Sequence, residues 1–498
     1  MKKLKIIGLI GVLLQLILSV AAVFLVAKLN ILPGFYLFML ILVLVLLFMI
    51  SAIFVIGRSR FRVGIATVFS IIMCVILSLA SFKYILPAIG TLDTITTQKQ
   101  TYLATYYIII KADDPASKPD DIKEYQIGVE KSHDFEAMKK ALDGIAVQFD
   151  HVLSVVAYDD YSSMWSAFID RSETGTILME TNYYNIYKEF YEEQGDNIEN
   201  YVRLLGEIQV EMEIQKTEEN KKPEGESEKK KDVTQEPFVL YISGIDVSGS
   251  INQRSRSDVN IIMAVNPETK KITLATVPRD TYVKIPGVTG DAYDKLTHAA
   301  IYGKNDCAVS MKTLEQNIYT GIEIDYWARV NFTSLEKIVD ALGGIEVHSD
   351  YSYTSTFSGD RVWFEKGTNK MNGWKALIFC RERVTVPGGE PQRGKNQLEV
   401  IKGIFNKATS PSIIVNYNDV LDEISDCILT DMPMEHITSL IKMQLDDNAK
   451  WTFETVSVGV EYVYDYCYSM PGQKLCVGII DEETRLNAIA KLKEVLGN

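Results

Sequence analysis

The 498-residue sequence predicts an α/β protein with three N-terminal transmembrane helices, a small α/β accessory domain and a larger C-terminal α/β sandwich with a central mixed sheet. Three observations predict this organisation. Residues 1–90 contain three long uncharged stretches. The remainder alternates short apolar runs, typical of buried strands, with segments of helical periodicity. A charged stretch that is poor in apolar residues divides that remainder in two.

The uncharged stretches run from Ile6 to Ala27, from Phe35 to Gly57 and from Val63 to Phe82. About 20 apolar residues cross the hydrocarbon core of a bilayer, so each stretch is long enough to span it. Cations cluster before the first stretch and between the second and third, at Lys2, Lys3, Lys5, Arg58, Arg60 and Arg62. The positive-inside rule therefore predicts a multi-pass membrane protein with a cytoplasmic N-terminus and with all residues after about 90 outside the membrane.

A cleaved signal peptide is the alternative for the first stretch, because Ser19–Ala22 is rich in small residues. The apolar run is longer than the core of a signal peptide, which favours a retained transmembrane helix.

Residues 95–214 are predicted to form the accessory domain. Strand-like runs at Tyr106–Ile110 and Thr176–Met179 alternate with helical patterns at Asp134–Ile145 and from Tyr187 onward. This segment contains no recognisable constellation of catalytic groups. Residues 215–237 consist mainly of Lys, Glu, Pro, Gly and Ser, which cannot bury enough apolar surface to fold, and are predicted to be a linker or exposed loop.

Residues 238–498 are predicted to form the second α/β domain. Strands are expected at Phe238–Ile245, Val259–Val265, Lys271–Val277, Tyr326–Phe332 and Trp451–Val458. Helices are expected at Cys307–Tyr319, Ser334–Leu342, Gln397–Ala408, Tyr417–Cys427 and Met434–Leu445. Cys467 and Cys476 bracket a Ser-Met-Pro-Gly turn, so that a hairpin disulfide and two buried thiols are both open interpretations.

Arginines and carboxylates recur through the first part of this domain. Asp246 follows a predicted buried strand directly, and Arg256 and Asp258 open the next one. Strand ends of α/β sheets are where ligand sites gather. The remaining members are Arg279, Asp280, Arg381, Arg383, Glu390, Arg393 and Gln397. Guanidinium groups bind phosphoryl oxygens bidentately and carboxylates bind hard cations, so the set suits a polyphosphate with a divalent metal.

Local spacing supports convergence of these side chains. Arg381 and Arg383 lie two residues apart, which would put both on one face of an extended segment. Arg393 and Gln397 lie four apart, so a helix starting near Gly394 would place them on one side, with its N-terminus favouring anions. Five arginines directed at one place require an anion between them.

At these residues the sequence resembles the LytR-CpsA-Psr family of bacterial cell-envelope proteins. The resemblance covers roughly Phe238 to Ala408, and the three spans with an extra outer domain are similar to its capsule-associated branch. The matching stretches, in order, are Gly244–Asp246, Arg256–Asp258, Val277–Asp280, Asp294–Ala299, Val339–Gly344, Met371–Leu377, Arg381–Arg383 and Arg393–Gln397.

The resemblance implies a phosphotransferase of the bacterial plasma membrane. It would attach a glycopolymer, either capsular polysaccharide or a teichoic-acid-like polymer, from a polyprenyl-diphosphate carrier to peptidoglycan, releasing polyprenyl phosphate. Asp246 and Asp258 would hold Mg²⁺ or Mn²⁺, and the lipid tail would lie in an apolar tunnel. The diphosphate would be bound by Arg256, Arg279, Lys295, Arg381, Arg383, Arg393 and Gln397. Catalytic roles would belong to Arg279, Arg381, Arg383 and Glu390.

The sequence departs from the family pattern at Glu390, where relatives commonly carry Asp, so Glu390 is either the base or an arginine partner. The stretch Gly394–Gln397 also lacks a second arginine seen in many relatives. Asp280 is interpreted as a partner of Arg279 rather than a metal ligand. His298 is interpreted as a core histidine, with a catalytic role as the alternative.

Two other functions compete with the ligase. A non-catalytic membrane regulator could sense lipid-linked polysaccharide precursors through the same phosphate site. A transcriptional role is disfavoured, because a net charge of −14 and the lack of a DNA-reading motif argue against nucleic acid as a partner.

Overall fold

The computed structural model describes residues 2–29, 32–57, 59–86, 101–131, 133–151, 153–170, 174–213, 231–303, 307–410, 413, 420, 423–424 and 427–497. Most of the predicted linker at 215–237 and most of the predicted helix at Tyr417–Cys427 therefore lie outside the described residues. The end of the predicted linker, residues 231–237, is described and is partly packed, with Asp232, Gln235 and Glu236 exposed. Val233 is buried against the following domain, and Lys231 forms an ion pair with Asp325.

Three apolar helices open the chain and confirm the predicted spans. They are α1 (Lys2–Leu29), α2 (Gly34–Ile56) and α3 (Arg60–Ala80), each long and apolar enough to cross a membrane. Gly8 of α1 is a point of close approach, because a Cβ there would lie 2.9 Å from the Thr67 hydroxyl. Small residues permit such contacts between transmembrane helices.

The accessory domain is a mixed five-stranded sheet in the order β3-β2-β4-β1-β5. Its strands are β1 (Thr101–Lys111), β2 (Gln126–Glu130), β3 (Ser154–Tyr158), β4 (Thr176–Glu180) and β5 (Val202–Glu213). Its helices are α4 (Phe135–Phe149), α5 (Tyr161–Ile169) and α6 (Thr181–Glu193). Helix α6 begins six residues before the predicted Tyr187, because Tyr183, Tyr184 and Ile186 pack on the sheet at helical spacing.

The second domain contains a mixed six-stranded sheet in the order β16-β11-β6-β7-β8-β17. These strands are β6 (Phe238–Ile245), β7 (Ser257–Asn266), β8 (Lys271–Val277), β11 (Tyr326–Val330), β16 (Leu429–Thr430) and β17 (Thr452–Ser457). Strands β6, β7 and β8 are antiparallel neighbours, whereas β11 and β17 pair in parallel with β6 and β8.

Helices cover both faces of this sheet. They are α7 (Ala308–Asn317), α8 (Phe332–Ala341), α9 (Gly373–Arg381), α10 (Gly389–Ala408), α11 (Met434–Asp447) and α12 (Glu482–Leu496). The remaining short strands form two-stranded ribbons: β9 (Tyr282–Val283), β10 (Asp294–Lys295), β12 (Ile345–Ser349), β13 (Tyr353–Ser355), β14 (Val362–Phe364) and β15 (Gly367–Met371).

The hairpin of β18 (Val460–Cys467) and β19 (Met470–Ile480) packs on the accessory domain, where it shares a core with Trp165 and Tyr187. Cys467 faces Met470 and Cys476 faces Tyr464 in the strand register, so the two cysteines are not opposite each other and form no disulfide. Both cysteines are therefore free thiols, of which Cys467 is buried as expected and Cys476 is half-buried. The turn lies at Tyr468 and Ser469, which is earlier than the predicted Ser-Met-Pro-Gly turn.

Backbone and side-chain contacts join the two domains. Leu103 of β1 donates to the Asn252 carbonyl at 3.0 Å and accepts from the Arg254 amide at 3.0 Å. The buried Arg254 guanidinium pairs with Glu180 at 3.0 Å and with Asp134 at 2.7 Å. These contacts hold helix α6 of the accessory domain beside the end of the six-stranded sheet at which β6 and β8 terminate.

Candidate functional site

The predicted cluster forms at one edge of the six-stranded sheet. Strands β6 and β8 both end at this edge, and the antiparallel strand β7 begins there. Asp246, Asp258 and Arg279 are therefore neighbours in space, although they are spread along the sequence. The geometry follows from the alternation of strand direction, because consecutive antiparallel strands return to the same edge.

A cavity of about 490 Å³ opens at this edge and has a polar end and an apolar end. Its polar wall is formed by Asp246, Arg256, Asp258, Arg279, Arg381, Arg383, Arg393 and Gln397. Its apolar wall comes from the sheet and from helices α8 to α10, through Ile242, Ile261, Leu335, Leu377, Val400 and Ile401. The structure thus brings together eight of the predicted site residues next to a hydrophobic recess.

Arg381 lies at the boundary between these two walls. Its guanidinium carbon is 3.8 Å from the ring centroid of Phe332 and 4.5 Å from that of Phe357. Burial lowers the pKa of this guanidinium. Among the described residues no carboxylate lies within ion-pair distance of it, so two aromatic faces orient the cation and leave its N–H groups for a ligand.

The backbone that carries Arg381 and Arg383 differs from the extended segment expected. Arg381 is the last residue of α9, and Glu382 after it has extended geometry. Both arginines nevertheless line the cavity. Helix α9 is held close to α8 at Gly373, where a Cβ would collide with the Glu336 carbonyl oxygen, so glycine is required for this placement.

Helix α10 begins at Gly389 rather than near Gly394. Gly388 and Gly389 have φ values of 93° and 59°, which glycine adopts without strain, and they allow the chain to turn into the helix early. Arg393 and Gln397 consequently lie in the second and third turns, away from the helix N-terminus. Their spacing of four still places both side chains in the cavity wall.

Arg256 and Arg279 share a carboxylate that sequence analysis missed. Glu189 of helix α6 accepts from Arg256 Nη1 at 2.6 Å and from Arg279 Nη2 at 2.5 Å. The same arginines pair with Asp246 at 2.9 Å and with Asp258 at 2.8 Å. The accessory domain, in which no catalytic constellation was expected, therefore contributes a charged group to the site.

The Glu189 carboxylate occupies the position in which a bound anion would contact both Arg256 and Arg279. Burial opposes its ionisation, but Arg279, Arg256 and Lys295 together lower the pKa of Glu189 well below its ordinary value. It is thus a permanent anion at neutral pH. A phosphoryl group that bridged Arg256 and Arg279 would compete with Glu189 for the same N–H donors.

Glu189→Gln is expected to tighten the binding of inorganic pyrophosphate by about tenfold, because a competing anion is removed from the two arginines. Isothermal titration calorimetry on the full chain in detergent measures the change. Glu192→Gln is the matched control, since Glu192 lines the same cavity but makes no ion pair with these arginines. Unchanged or weaker binding in the Glu189 variant would mean that the arginines hold both anions at once.

Asp246 and Asp258 meet the requirements for two ligands of a hard cation. Burial, and then the nearby charge of Asp258, raises the pKa of Asp246. Burial opposes ionisation of Asp258, but Arg279 and Arg256 lower its pKa. Within the described part of the chain no group of three or more His, Cys, Asp or Glu side chains could hold a metal. Asp246 and Asp258 both line the first cavity, and each pairs with an arginine there.

A second cavity of about 470 Å³ adjoins the first at Glu189 and Arg279. Glu189, Glu192, Arg279 and Arg383 line both cavities. The second one adds Glu193, Asp280, Val384, Glu390, Tyr462 and Cys476. Seven of its ten lining residues are charged.

Glu390 projects into this second cavity from the first turn of α10. Arg393 Nη2 forms an ion pair with its Oε1 at 2.5 Å, whereas its buried Oε2 has no hydrogen-bond partner among the described residues. Burial raises the pKa of Glu390, although Arg393 lowers it in part. A carboxylate with a raised pKa and a free oxygen is suited to accept a proton.

Lys295 lies behind the arginine pair, outside the walls of both cavities. It is 2% exposed, and its ammonium group is 3.3 Å from Asp280 and 3.7 Å from Glu193. Asp280 in turn lies 3.6 Å from Arg279 Nε. Lys295, predicted to bind the diphosphate, thus lies beside Asp280 and Glu193, and Asp280 is a neighbour of Arg279 as expected.

His298 is a core histidine. Its Nδ1 is 2.7 Å from Asp294 and 3.0 Å from the Ser469 hydroxyl, and all three side chains are buried. Because the carboxylate and the hydroxyl meet the same ring nitrogen, the arrangement cannot relay a proton from serine through the ring to aspartate. It ties the β18–β19 hairpin to the second domain.

Comparison with known proteins is consistent with the motifs. The model of the LytR_cpsA_psr family matches residues 206–479, more than half of the chain. The polyisoprenyl-teichoic acid–peptidoglycan teichoic acid transferase TagU of Enterococcus faecalis is 36% identical over 207 residues, which are 41% of this chain and 65% of TagU. The chain thus spans slightly less than two thirds of that relative.

The transferase TagT of Bacillus subtilis is 30% identical over 251 residues, covering 49% of this chain and 75% of TagT. The crystal structure of B. subtilis TagV superposes with a TM-score of 0.44 at 23% identity, covering 53% of this chain and 98% of TagV. Because the family model matches more than half of this chain, the chain belongs to the LytR_cpsA_psr family.

Proposed function

We propose that this protein is a phosphotransferase that attaches a polyprenyl-diphosphate-linked glycopolymer to peptidoglycan. The observation that carries the proposal is the first cavity, in which an arginine cluster and apolar side chains line the same open space. A lipid diphosphate has the same two parts, an anionic head and an apolar tail. A pocket for a soluble polyphosphate would need no such recess.

The arginines would bind the diphosphate according to their present partners. Arg381 and Arg383 form no ion pair with a described carboxylate and would contact phosphoryl oxygens directly. Arg256 and Arg279 would exchange Glu189 for substrate oxygens. Arg393 would donate through its buried Nε, which has no hydrogen-bond partner among the described residues. Such donors stabilise the charge that develops on phosphoryl oxygens during transfer.

In the proposed reaction a hydroxyl oxygen of the glycan acceptor forms a bond to the phosphorus next to the polymer. The bond from this phosphorus to the bridging oxygen breaks, and the bridging oxygen leaves on polyprenyl monophosphate. The hydroxyl proton passes to Glu390 Oε2. The product is a phosphodiester between polymer and acceptor, and the phosphorus keeps its oxidation state.

Asp246 and Asp258 are the residues that would hold Mg²⁺ or Mn²⁺. Such a cation, when bound, neutralises charge on the phosphoryl oxygens. The carboxylates would also keep Arg256 and Arg279 in place through the ion pairs described above.

The three apolar helices support a location in the bacterial plasma membrane with the catalytic domain outside. A membrane-embedded carrier lipid would then reach the cavity from the same bilayer that holds the protein. The polymer is proposed to be a capsular polysaccharide or a teichoic-acid-like chain.

The test uses the full chain in detergent, a short-chain prenyl-diphosphate glycopolymer and purified peptidoglycan glycan strands. We expect acceptor-dependent release of prenyl monophosphate and a polymer–glycan phosphodiester, both detected by mass spectrometry. Asp258→Ala should abolish both products. Wall attachment that persists in an Asp258→Ala strain, with only the amount or length of polymer changed, would instead favour the regulator that senses lipid-linked precursors.

A further inference from the structure

The outward face of strand β18 carries a row of exposed tyrosines. Tyr462, Tyr464 and Tyr466 alternate along the strand, so they point to the same side of the hairpin. Their exposed fractions are 40%, 55% and 52%. The intervening Val463 and the following Cys467 face the accessory-domain core. One face of the hairpin therefore fixes it in the fold, and the other presents aromatic rings to solvent.

This tyrosine row begins at the second cavity. Tyr462 lines that cavity together with Asp280 and Glu390. The neighbouring strand β19 is anchored at the same point, because the Gly478 amide donates to the Asp280 carbonyl at 2.8 Å. The row is thus attached directly to the segment that carries Arg279.

From the cavity the row continues over the surface. Tyr464 and Tyr466 line an adjoining depression with Phe190, Gln194, Gln473 and Lys474. The Lys474 ammonium lies 5.2 Å from the ring centroid of Tyr466. Alternate residues of a strand are about 7 Å apart, so the row forms an extended track rather than a single pocket.

The position of the tyrosine row decides which substrate it would meet. Phosphoryl transfer places the attacking and leaving oxygens roughly in line, on opposite sides of the phosphorus. The leaving lipid phosphate belongs to the first cavity, because its apolar recess suits the lipid tail. The second cavity shares Glu189 and Arg279 with the first and is where the tyrosine row begins, so the attacking hydroxyl would arrive through it.

We infer that the tyrosine row is the binding surface for the acceptor glycan strand, an inference that rests on the proposed transfer reaction. Tyrosine suits this ligand because its ring packs against the C–H face of a sugar while its hydroxyl bonds to sugar oxygens. The amides of Gln194 and Gln473 add polar partners beside the rings. A repeating polysaccharide matches an extended track of repeated aromatic groups.

Steady-state transfer by the full chain in detergent tests the inference. Tyr464→Ala is expected to raise the KM for peptidoglycan glycan strands about tenfold, with kcat at saturating acceptor and the KM for the prenyl-diphosphate donor unchanged. Tyr464→Trp should restore the acceptor KM, because it keeps an aromatic face. Tyr351→Ala is the matched control, since Tyr351 is 41% exposed elsewhere on the same domain.

An unchanged acceptor KM in the Tyr464→Ala variant overturns the inference while leaving the proposed transfer reaction intact. A raised donor KM overturns it too, because the row would then hold the donor polymer. Binding of soluble peptidoglycan glycan fragments, followed by tyrosine ring signals in NMR spectra, gives a readout without turnover. Ring-dependent binding by a chain that transfers nothing would support the glycan surface and reject the proposed function.

Discussion

Arg381→Lys is expected to lower the rate of glycopolymer transfer by about 10³-fold without changing the fold. Lysine keeps a positive charge but cannot present two parallel N–H groups to a phosphoryl group. It also loses the planar stacking on Phe332 and Phe357 that orients the guanidinium. The loss should appear mainly in kcat, because these donors act on charge that develops as the bridging bond breaks.

The structural cost of this substitution should be small. Arg381 makes no ion pair with a described carboxylate, so its replacement leaves no buried charge without a partner. Arg361→Lys is the control, because Arg361 is an exposed arginine between β13 and β14. Equal transfer rates in the two variants would remove Arg381 from the reaction, whereas a lowered thermal midpoint in Arg381→Lys alone would make its role structural.

The sequence alone predicted those residues of the site that lie at the ends of strands. Asp246, Asp258 and Arg279 could be placed together because apolar runs reveal strands, and antiparallel neighbours return to one edge. The transmembrane helices were predictable for a similar reason, since an uninterrupted apolar stretch of about 20 residues is typical of a bilayer span. In both cases a local pattern determines the structure.

Glu189 could not be predicted in this way. It lies in the aromatic helix α6, and nothing in that segment distinguishes it from neighbouring glutamates such as Glu192. Its role arises from the packing of one domain on another, which depends on contacts between distant residues. No charge signal in the sequence indicated it either, because Arg256 and Arg279 already have Asp246 and Asp258 as partners.

The start of helix α10 was misplaced for a different reason. Helical periodicity is clear only after Gln397, whereas the first turns contain two glycines and a proline that usually indicate a loop. The tyrosine row was overlooked because alternating exposed tyrosines look like an ordinary strand. Only the position of that strand beside Asp280 gives the row a function.

The second large effect is expected on replacing Arg254, whose ion pairs place α6 beside the site. Arg254→Met is expected to weaken the joining of the two domains by about 3–5 kcal/mol, because it leaves Glu180 buried without its cation. Arg254 also lies 5.0 Å from the ring centroid of Tyr102, and Tyr102 donates to Asp134 at 2.6 Å. A single guanidinium therefore holds three accessory-domain side chains.

Hydrogen exchange of the Leu103 amide measures this effect in the full chain, because that amide donates across the domain boundary. Its protection should fall by about 150- to 5,000-fold in Arg254→Met. Arg203→Met is the control, since Arg203 donates to backbone carbonyls within the accessory domain. Adding Glu180→Gln to Arg254→Met should restore part of the protection, because the uncompensated charge is removed.

The rate of glycopolymer transfer should fall in Arg254→Met together with the hydrogen-exchange protection of the Leu103 amide. Once α6 is no longer held by Arg254, Glu189 leaves Arg256 and Arg279, and the wall shared by the two cavities is lost. The acceptor KM should then rise in Arg254→Met even though Arg254 lines neither cavity. Full protection of Leu103 combined with normal transfer in this variant would mean that the domains are joined through different contacts, and that α6 reaches the arginines without this ion-pair network.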